Sequence, residues 1–301
     1  MAIRRLAAAC FAAFLAIVSA PATAQAPGPE VCANCHADYF ESFRASMHGT
    51  KADPRTPISH GGCAVCHGDG TEHVKSGGGR GVGGIKNLGS KTLPAEEKTK
   101  VCLTCHQGGG RIHWQSSTHG SRDVACSNCH QVHVAQDKVR DRQTQTEVCF
   151  TCHKEQRAQV NRPVHHPVLE GKMSCSSCHN VHGDNPKQLV RATVNETCFS
   201  CHMEKRGPFV HNHPPVQEDC AICHQPHGTT IPYLLKARPP FLCQECHSNS
   251  GHPSQAGQLP LARGAGTGAL GTVARGCTNC HVNIHGSNSK ENNATAGRFR
   301  R

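Results

Sequence analysis

The longest apolar stretch of the chain lies near its N-terminus, where residues 6–20 are almost entirely apolar. Arg4 and Arg5 precede this stretch, and Ala22-Thr23-Ala24 follows it as a small-x-small sequence. A basic segment, a short apolar run and small residues at a cleavage point are typical of a secretory signal peptide. We therefore predict that residues 1–24 are removed on export.

The rest of the chain has no run of 18 apolar residues, which a membrane-spanning helix would need, so we expect a soluble mature protein. Short segments such as 37–45 and 147–160 predict helices, and we expect almost no sheet. Residues 77–84 are rich in glycine, and 251–276 are rich in glycine, alanine and proline. Both predict loops or segments that contact a partner. We expect the polar, basic tail 287–301 to be disordered.

The composition does not support an ordinary hydrophobic core. Apolar residues make up 36% of the chain, against roughly 45–50% in typical globular domains. There is one tryptophan and there are two tyrosines. Such a chain cannot bury enough of its own side chains to offset the entropy lost on folding. Something other than side chains must therefore fill the interior.

The cysteines indicate what fills it. Of 21 cysteines, Cys10 lies in the predicted signal, and all 20 others fall in ten copies of Cys-x-x-Cys-His. The cysteine pairs are Cys32 and Cys35, Cys63 and Cys66, Cys102 and Cys105, Cys126 and Cys129, Cys149 and Cys152, Cys175 and Cys178, Cys198 and Cys201, Cys220 and Cys223, Cys243 and Cys246, and Cys277 and Cys280. The histidines that close the motifs are His36, His67, His106, His130, His153, His179, His202, His224, His247 and His281.

Cys-x-x-Cys-His is the attachment motif of c-type haem. Two thiols on one helical turn reach the two vinyl groups of a porphyrin, and the adjacent histidine is directed at the iron. A disulfide framework or a zinc ribbon would not require a histidine after every second cysteine, and iron–sulfur clusters favour other spacings. The sequence therefore predicts ten covalently bound haem c groups, which form the apolar interior. We expect folding to be coupled to their attachment.

A repeat of two motifs supplies candidates for the second axial ligand. Each of five units has one motif, then an isolated histidine, then a second motif followed three to six residues later by another histidine. The predicted distal ligands are His48, His73, His119, His133, His165, His182, His213, His227, His252 and His285.

Three of these assignments have a competing residue. The register does not separate His165 from His166, although aligning His-x-Pro-Val with the fourth unit favours His165. His60 competes with His48, and His113 competes with His119. His60, His113 and His211 are the expected spares.

The formal net charge of +11 does not indicate a nucleic-acid partner. The predicted signal removes two arginines, and the propionates of ten haems would bring the mature protein close to neutral or below. The lysines and arginines are better interpreted as partners of those propionates.

Several segments resemble the MtrA/DmsE family of periplasmic decahaem cytochromes. They are residues 175–183, 195–198, 204–209, 213–216 and 277–288. The resemblance covers nearly the whole mature chain, and it is weakest after Cys243 and near position 80. It implies a multihaem cytochrome c fold over residues 25–286, with five two-haem repeats, mostly irregular coil and short α-helices around a linear chain of ten haems.

The same resemblance implies an electron conduit without a catalytic site of its own. Family members connect periplasmic donors to extracellular partners from within an outer-membrane β-barrel porin. We therefore expect a periplasmic protein inserted in such a barrel. Its further partners would be a periplasmic or inner-membrane cytochrome and an extracellular multihaem cytochrome.

Two alternatives remain at this stage. One is a soluble periplasmic electron shuttle or store. The other is a multihaem reductase, which would need a haem with an open or unusual ligand. The resemblance is compatible with either direction of electron flow, and with a metal oxide, Fe(II) or dimethyl sulfoxide as the terminal partner.

Overall fold

The computed structural model describes residues 26–247, 277–279 and 281–290, so the predicted signal, segment 251–276, Cys280 and His252 lie outside the described residues. The described chain is built from short α-helices, none longer than nine residues. They are α1 (Pro29–Ala33), α2 (Ala37–Arg44), α3 (Pro57–His60), α4 (Ala64–His67), α5 (Thr71–Lys75), α6 (Ala95–Leu103), α7 (Cys126–Cys129), α8 (Gln145–Cys149), α9 (Lys154–Val160), α10 (Val194–Phe199), α11 (Pro214–Glu218) and α12 (Phe241–Gln244).

Three-residue 3₁₀ turns lie between the α-helices. They are Met47–Gly49, Val82–Gly84, Gly109–Arg111, Trp114–Ser116, Gly120–Arg122, Lys138–Arg140, Cys175–Ser177, Pro186–Gln188, Met203–Lys205, Cys220–Ile222, Pro232–Leu234 and Cys277–Asn279.

β-Structure in these ranges is limited to isolated antiparallel bridges. They join Val164 to Thr229, His179 to Leu189, His211 to Ser287 and His224 to Leu235. Most of the remaining residues form turns and coil. The prediction of short helices, irregular coil and almost no sheet is therefore confirmed. No helix of the described residues has the length and apolar content needed to cross a membrane.

The predicted helices need one correction. Helix α2 ends one residue before the predicted end of segment 37–45. The predicted helix 147–160 is divided into α8 and α9 by the motif that starts at Cys149. The break occurs because His153 has a ψ of 68°, which takes the backbone off the helical path at the histidine of the motif.

The glycine-rich segment 77–84 has a packing role. It is a loop, as predicted, except for the 3₁₀ turn at its end. Gly83 has a φ of +71°, and a Cβ atom there would overlap the backbone of His73 on α5. The Nδ1 atom of His73 lies 3.0 Å from the carbonyl oxygen of Val82. The segment therefore folds back over α5 and orients a predicted haem ligand.

The predicted tail begins too early. Ser287 is buried, and its backbone exchanges two 2.9 Å hydrogen bonds with that of His211. The backbone N–H of Val210 donates to Oδ1 of Asn288 at 2.9 Å. The domain therefore extends beyond 286 to at least Ser289, because Ser287, Asn288 and Ser289 are hydrogen-bonded to Val210 and His211 of the fourth unit.

Few apolar side chains are buried. Among the described residues, the buried apolar side chains are Phe43, Trp114, Ala125, Val160 and Leu189. A larger number of large apolar side chains are exposed, including Tyr39, Ile112 and Phe241. These few contacts cannot hold the described chain in one conformation. This agrees with the expectation that the interior is not made of side chains.

Buried polar side chains link the two motifs of a unit. Asn195 on α10 donates through Nδ2 to the carbonyl of Val216 at 2.9 Å, and its Oδ1 accepts from the backbone N–H of Cys220 at 2.7 Å. In the third unit, Oε1 of Gln145 accepts from the backbone N–H of Ser176 at 2.9 Å. Each side-chain amide thus joins, by hydrogen bonds, the helix that leads into the first motif to the turn that carries the second motif.

Replacing Asn195 by alanine should lower the free energy of unfolding of the holoprotein by about 1–3 kcal/mol, because buried backbone groups lose their partner. Guanidinium unfolding of N195A measures the change. The exposed Gln115 supplies the control, Gln115→Ala, which should unfold like the wild type. Equal midpoints for the two variants would contradict the proposed link.

Residues 25–301 produced in a cytoplasm that lacks haem attachment should show no cooperative thermal transition by circular dichroism. The reason is that their side chains alone bury too little apolar surface. The exported holoprotein should show one. A sigmoidal transition in the haem-free chain would mean that the side chains suffice.

Candidate haem sites

All ten motifs adopt the same helical turn. In each of them the backbone N–H of the histidine donates to the carbonyl oxygen of the first cysteine, at 2.8–3.0 Å. This i to i−4 bond is the bond of one α-helical turn. The first motif of a unit ends a helix, as Cys198 does near the end of α10. The second motif starts a short turn of its own, as in Cys220–Ile222.

Two rival interpretations of the cysteines find no support in the described residues. No disulfide joins the described cysteines. No group of three or more histidine, cysteine, aspartate or glutamate side chains is placed to hold a metal ion within ranges 26–247, 277–279 and 281–290. A disulfide framework and a zinc ribbon both require such arrangements.

Nine motif histidines face a second histidine, with ring centroids 5.9–6.4 Å apart. The pairs are His36 with His73, His67 with His133, His106 with His48, His130 with His182, His153 with His119, His179 with His227, His202 with His166, His224 with His285, and His247 with His213. Imidazoles bind metals at about 2 Å, so two rings on opposite sides of one ion have centroids about 6 Å apart. The spacing therefore fits axial ligation of a haem iron.

The hydrogen bonds of several paired rings engage Nδ1 and leave Nε2 available to bind a metal. The Nδ1 atoms of His67, His166 and His224 lie 2.8, 2.7 and 2.8 Å from backbone carbonyl oxygens. A carbonyl only accepts, so Nδ1 must carry the proton. The lone pair of Nε2 is then available to a metal. Such second bonds orient the histidine ligands of metal sites.

Burial also favours the neutral form of several rings. It lowers the pKa of His48, His133 and His213, and in His48 and His213 a neighbouring histidine adds to the effect. Neutral imidazole is the form that binds a metal.

The two rings of a pair come mostly from different units. His106 in the second unit faces His48 in the first, while His133 in the second faces His67 in the first. Neighbouring units thus exchange histidines in both directions, and the exchange recurs through the described units. The pair of His36 and His73 lies within the first unit. The repeat identified the candidate histidines but not this exchange, since any pairing is compatible with the spacing in sequence.

Backbone bridges join the third unit to the fourth and the fourth unit to the fifth, where these units exchange histidines. Between the third and fourth units, Val164 and Thr229 form an antiparallel bridge. Nδ1 of His166 lies 2.7 Å from the carbonyl of Pro226, and Nδ1 of His227 lies 3.1 Å from Oε1 of Gln159. These contacts therefore position His166 of the third unit and His227 of the fourth.

In two of the His-Gly sequences, close packing between units leaves no room for a side chain at the glycine. Gly228 has a φ of +153°, and a Cβ atom there would overlap the carbonyl oxygen of Gln159. Gly286, which follows His285, has a φ of +147°, and a Cβ atom would overlap the ring of Phe209. Glycine therefore allows the segment that carries the histidine to approach the neighbouring unit closely.

The motif cysteines show the order of the sites. Within a unit, the first cysteines lie together: burial raises the pKa of Cys63 to about 11, and the nearby Cys32 adds to the shift. Between units, the second cysteines are neighbours, since burial and then Cys105 raise the pKa of Cys66. The same alternation joins Cys102 to Cys126, Cys129 to Cys152, Cys149 to Cys175, Cys178 to Cys201, Cys198 to Cys220, Cys223 to Cys246 and Cys243 to Cys277. The ten sites therefore follow one another in chain order.

Apolar side chains next to the motifs fit a porphyrin. Val65 and Ile222 lie inside motifs, and Val31, Met203 and Val282 lie next to one, yet all five are exposed. An apolar macrocycle attached to the adjacent cysteines would cover such side chains. The residues present therefore fit haem c in their ligands and in their surroundings.

One predicted ligand is corrected by the structure. His165 donates through Nδ1 to the carbonyl of Arg162 at 2.6 Å, and its Nε2 lies 3.0 Å from Oε1 of Glu170. The hydrogen bond to Glu170 raises the pKa of His165. Both nitrogens are thus engaged, whereas His166 faces His202. We therefore replace His165 by His166 as the candidate ligand.

The structure also separates the other contested pairs. His48 and His119 lie in ring pairs. By contrast, His60 and His113 are exposed, and Nδ1 of His113 lies 3.5 Å from Asp184. Nε2 of the expected spare His211 lies 3.1 Å from the carbonyl of Ser289. His252 lies outside the described residues and stays a prediction.

Comparison with known proteins agrees with this arrangement. Residues 165–207 and 213–252 each match the family described as a doubled CXXCH motif. Residues 63–143 match the family described as cytochrome c-type protein NrfB-like. The chain is also 41% identical over 266 residues to the multiheme cytochrome MtrA of Shewanella baltica (strain OS185), an alignment that covers 87% of this chain and 79% of that protein.

A covalent attachment turn repeated along the chain, with imidazoles set in pairs at the spacing of axial ligands, defines the multihaem c-type cytochromes. Within this class, the chain belongs to the MtrA family. It binds haem c, and its function is electron transfer. The family resemblance expected from the sequence is confirmed.

The adjacent histidines at 165 and 166 allow a matched test of ligation. His166→Ala should leave one of the haem irons five-coordinate, because the ring that faces His202 is removed. A high-spin ferric signal from about one site should then appear in the electron paramagnetic resonance (EPR) spectrum of the holoprotein. His165→Ala should keep all sites low-spin. The assignment of His166 is wrong if the high-spin signal appears in the His165 variant instead.

Proposed function

We propose that the chain holds ten haem c groups in single file and conducts electrons between the two ends of that file. Each bound haem iron supplies reversible one-electron redox chemistry. The observation that carries the proposal is the combination of the histidine pairs with the alternating order in which the motif cysteines lie near one another. The protein residues attach, ligate and order the sites.

We assign the closing histidine of each motif as the proximal ligand and the histidine that faces it as the distal ligand. His252 remains the candidate for a distal ligand in the fifth unit, as the sequence predicts. Two imidazoles at each iron leave out the methionine that raises the potential of ordinary cytochromes c. Low potentials are therefore expected along the whole file.

A conduit explains the sites better than a reductase does. A reductase needs one iron with a position open to its substrate, or with an unusual ligand. Each of the nine pairs places a histidine on both sides of the site. All ten motifs also end in histidine. We therefore propose that the protein is an electron carrier without a catalytic site of its own.

We further propose that the conduit is periplasmic and acts inside an outer-membrane porin. It would receive or deliver electrons through a periplasmic or inner-membrane cytochrome on one side and an extracellular multihaem cytochrome on the other. Ten sites in file are long enough to exceed a hydrocarbon layer of about 30 Å. Family membership supports the same arrangement.

Mass spectrometry of the exported protein should show ten thioether-linked haem groups. When the outer membrane is solubilised, a porin should co-purify with the protein. Vesicles containing this complex and an enclosed redox dye should then pass electrons from an external reductant that cannot cross the membrane. Vesicles that contain the porin alone are the control.

Three results would contradict the conduit. If the dye is reduced only after detergent opens the vesicles, the protein is a store or shuttle. Fewer than ten haem groups would mean that the proposed file of ten sites is incomplete. A high-spin site in the wild-type protein that converts an added substrate would support the reductase.

A further inference from the structure

Among the motif histidines whose Nδ1 hydrogen bond is described, His130 alone has a carboxylate as its partner. Nδ1 of His130 lies 2.7 Å from Oδ2 of Asp137. The other carboxylate oxygen, Oδ1, accepts from the backbone N–H of Gln131 at 3.3 Å. The side chain of Asp137 is only 12% exposed. A largely buried carboxylate is therefore held directly against the proximal histidine of the fourth site.

Equivalent histidines in other units have neutral partners. The second motif histidines of units one, three and four are His67, His179 and His224. Their Nδ1 atoms lie 2.8, 3.1 and 2.8 Å from backbone carbonyl oxygens. The second unit thus has an anion where these three units have a peptide dipole.

Another carboxylate lies near a motif histidine but not in contact with it. Oε1 of Glu204 is 3.8 Å from Nδ1 of His202, and both side chains are more than half exposed. That distance is too long for a hydrogen bond, and solvent screens the charge. The contact of Asp137 is therefore different in kind from that of Glu204.

We infer that Asp137 sets the potential of the fourth site below those of the second, sixth and eighth sites. The inference rests on the proposed function, because it takes His130 and His182 as ligands of one iron. An anion that accepts the Nδ1 proton makes the imidazole a stronger donor to a metal. Its charge also favours the oxidised iron, which carries one more positive charge than the reduced iron.

The fourth site lies inside the proposed file, so its potential affects electron transfer along the file. An electron that moves along the file reduces each site while the preceding one is oxidised, so none is gained or lost. A lower potential at the fourth site makes the transfer from the third less favourable, and the transfer to the fifth more favourable, than they would be without the carboxylate of Asp137. Three sites lie on one side of this site and six on the other.

Other charged groups lie near this site. Burial lowers the pKa of His182, with His130 and then Arg111 adding to the shift, so a guanidinium lies close to the same site. Lys138 is paired with Glu147 at 3.1 Å. Arg111 opposes Asp137, but it is not hydrogen-bonded to either histidine. Removing the carboxylate charge alone isolates its effect.

Asp137→Asn keeps an acceptor for Nδ1 of His130 and removes the charge. Asp184→Asn is the matched control, because Asp184 lies beside His113, which is outside the ring pairs. Redox titration of each exported holoprotein, followed by absorbance and EPR, measures the potentials. In D137N the midpoint potential of one component should rise by about 59 mV, which corresponds to a factor of about ten in the equilibrium constant of a one-electron couple. One ferric signal should change its g values, and D184N should titrate as the wild type.

The inference fails if D137N titrates as the wild type, or if D137N and D184N shift all components equally. Mass spectrometry separates this failure from that of the proposed function. Ten haem groups with an unchanged titration would refute only the role of Asp137. Fewer than ten in the wild type would refute the file itself. If D137N loses haem, Asp137→Ser, which is also an uncharged acceptor, is measured against the same criteria.

Discussion

The structure depends on pairs of imidazoles whose ring centroids lie about 6 Å apart, which is the spacing expected for two axial ligands of one metal. In most of the described pairs, the two rings come from neighbouring units, as with His67 and His133 or His179 and His227. A metal bound between such rings joins units that share few side-chain contacts. In the proposed assignment, coordination therefore sets the long-range organisation of the chain, and ordinary hydrophobic packing has a minor part.

The composition follows from that constraint. A chain joined by metal ligands and covalent porphyrins needs few aromatic side chains, and its buried apolar set is small. It needs instead residues that place imidazoles. Asn195 and Gln145 hold the motifs of a unit together, while glycines such as Gly228 allow close approach between units. Backbone carbonyls leave Nε2 free for the metal. Much of the sequence outside the motifs is explained by these tasks.

Similar units need not produce identical sites. The turn that carries the motif is the same throughout, so differences must come from what surrounds the histidines. His130 meets a carboxylate, whereas His224 meets a carbonyl at the equivalent position. A repeat thus supplies the spacing between sites, and single substitutions around the ligands supply their individual character. An electron path with graded steps can arise in this way without any change in the fold.

The sequence by itself determined the attachment chemistry and predicted the number of sites. Ten motifs account for all 20 cysteines after the predicted signal, and the low apolar content requires a non-protein interior. These conclusions rest on local patterns, since a haem motif is complete within five residues. The expectation of short helices without sheets followed from the same motifs, and it was correct except where His153 interrupts a predicted helix.

Only the tertiary structure decided which histidines face each other. His165 and His166 are adjacent and chemically identical, and the alignment with the fourth unit favoured His165, which does not face a motif histidine. His166 is selected because the bridge between Val164 and Thr229 orients it, while Glu170 occupies the second nitrogen of His165. The exchange of ligands between units was equally hidden, because coordination depends on distance in space and on a free nitrogen lone pair. Neither property is encoded in the spacing of residues along the chain.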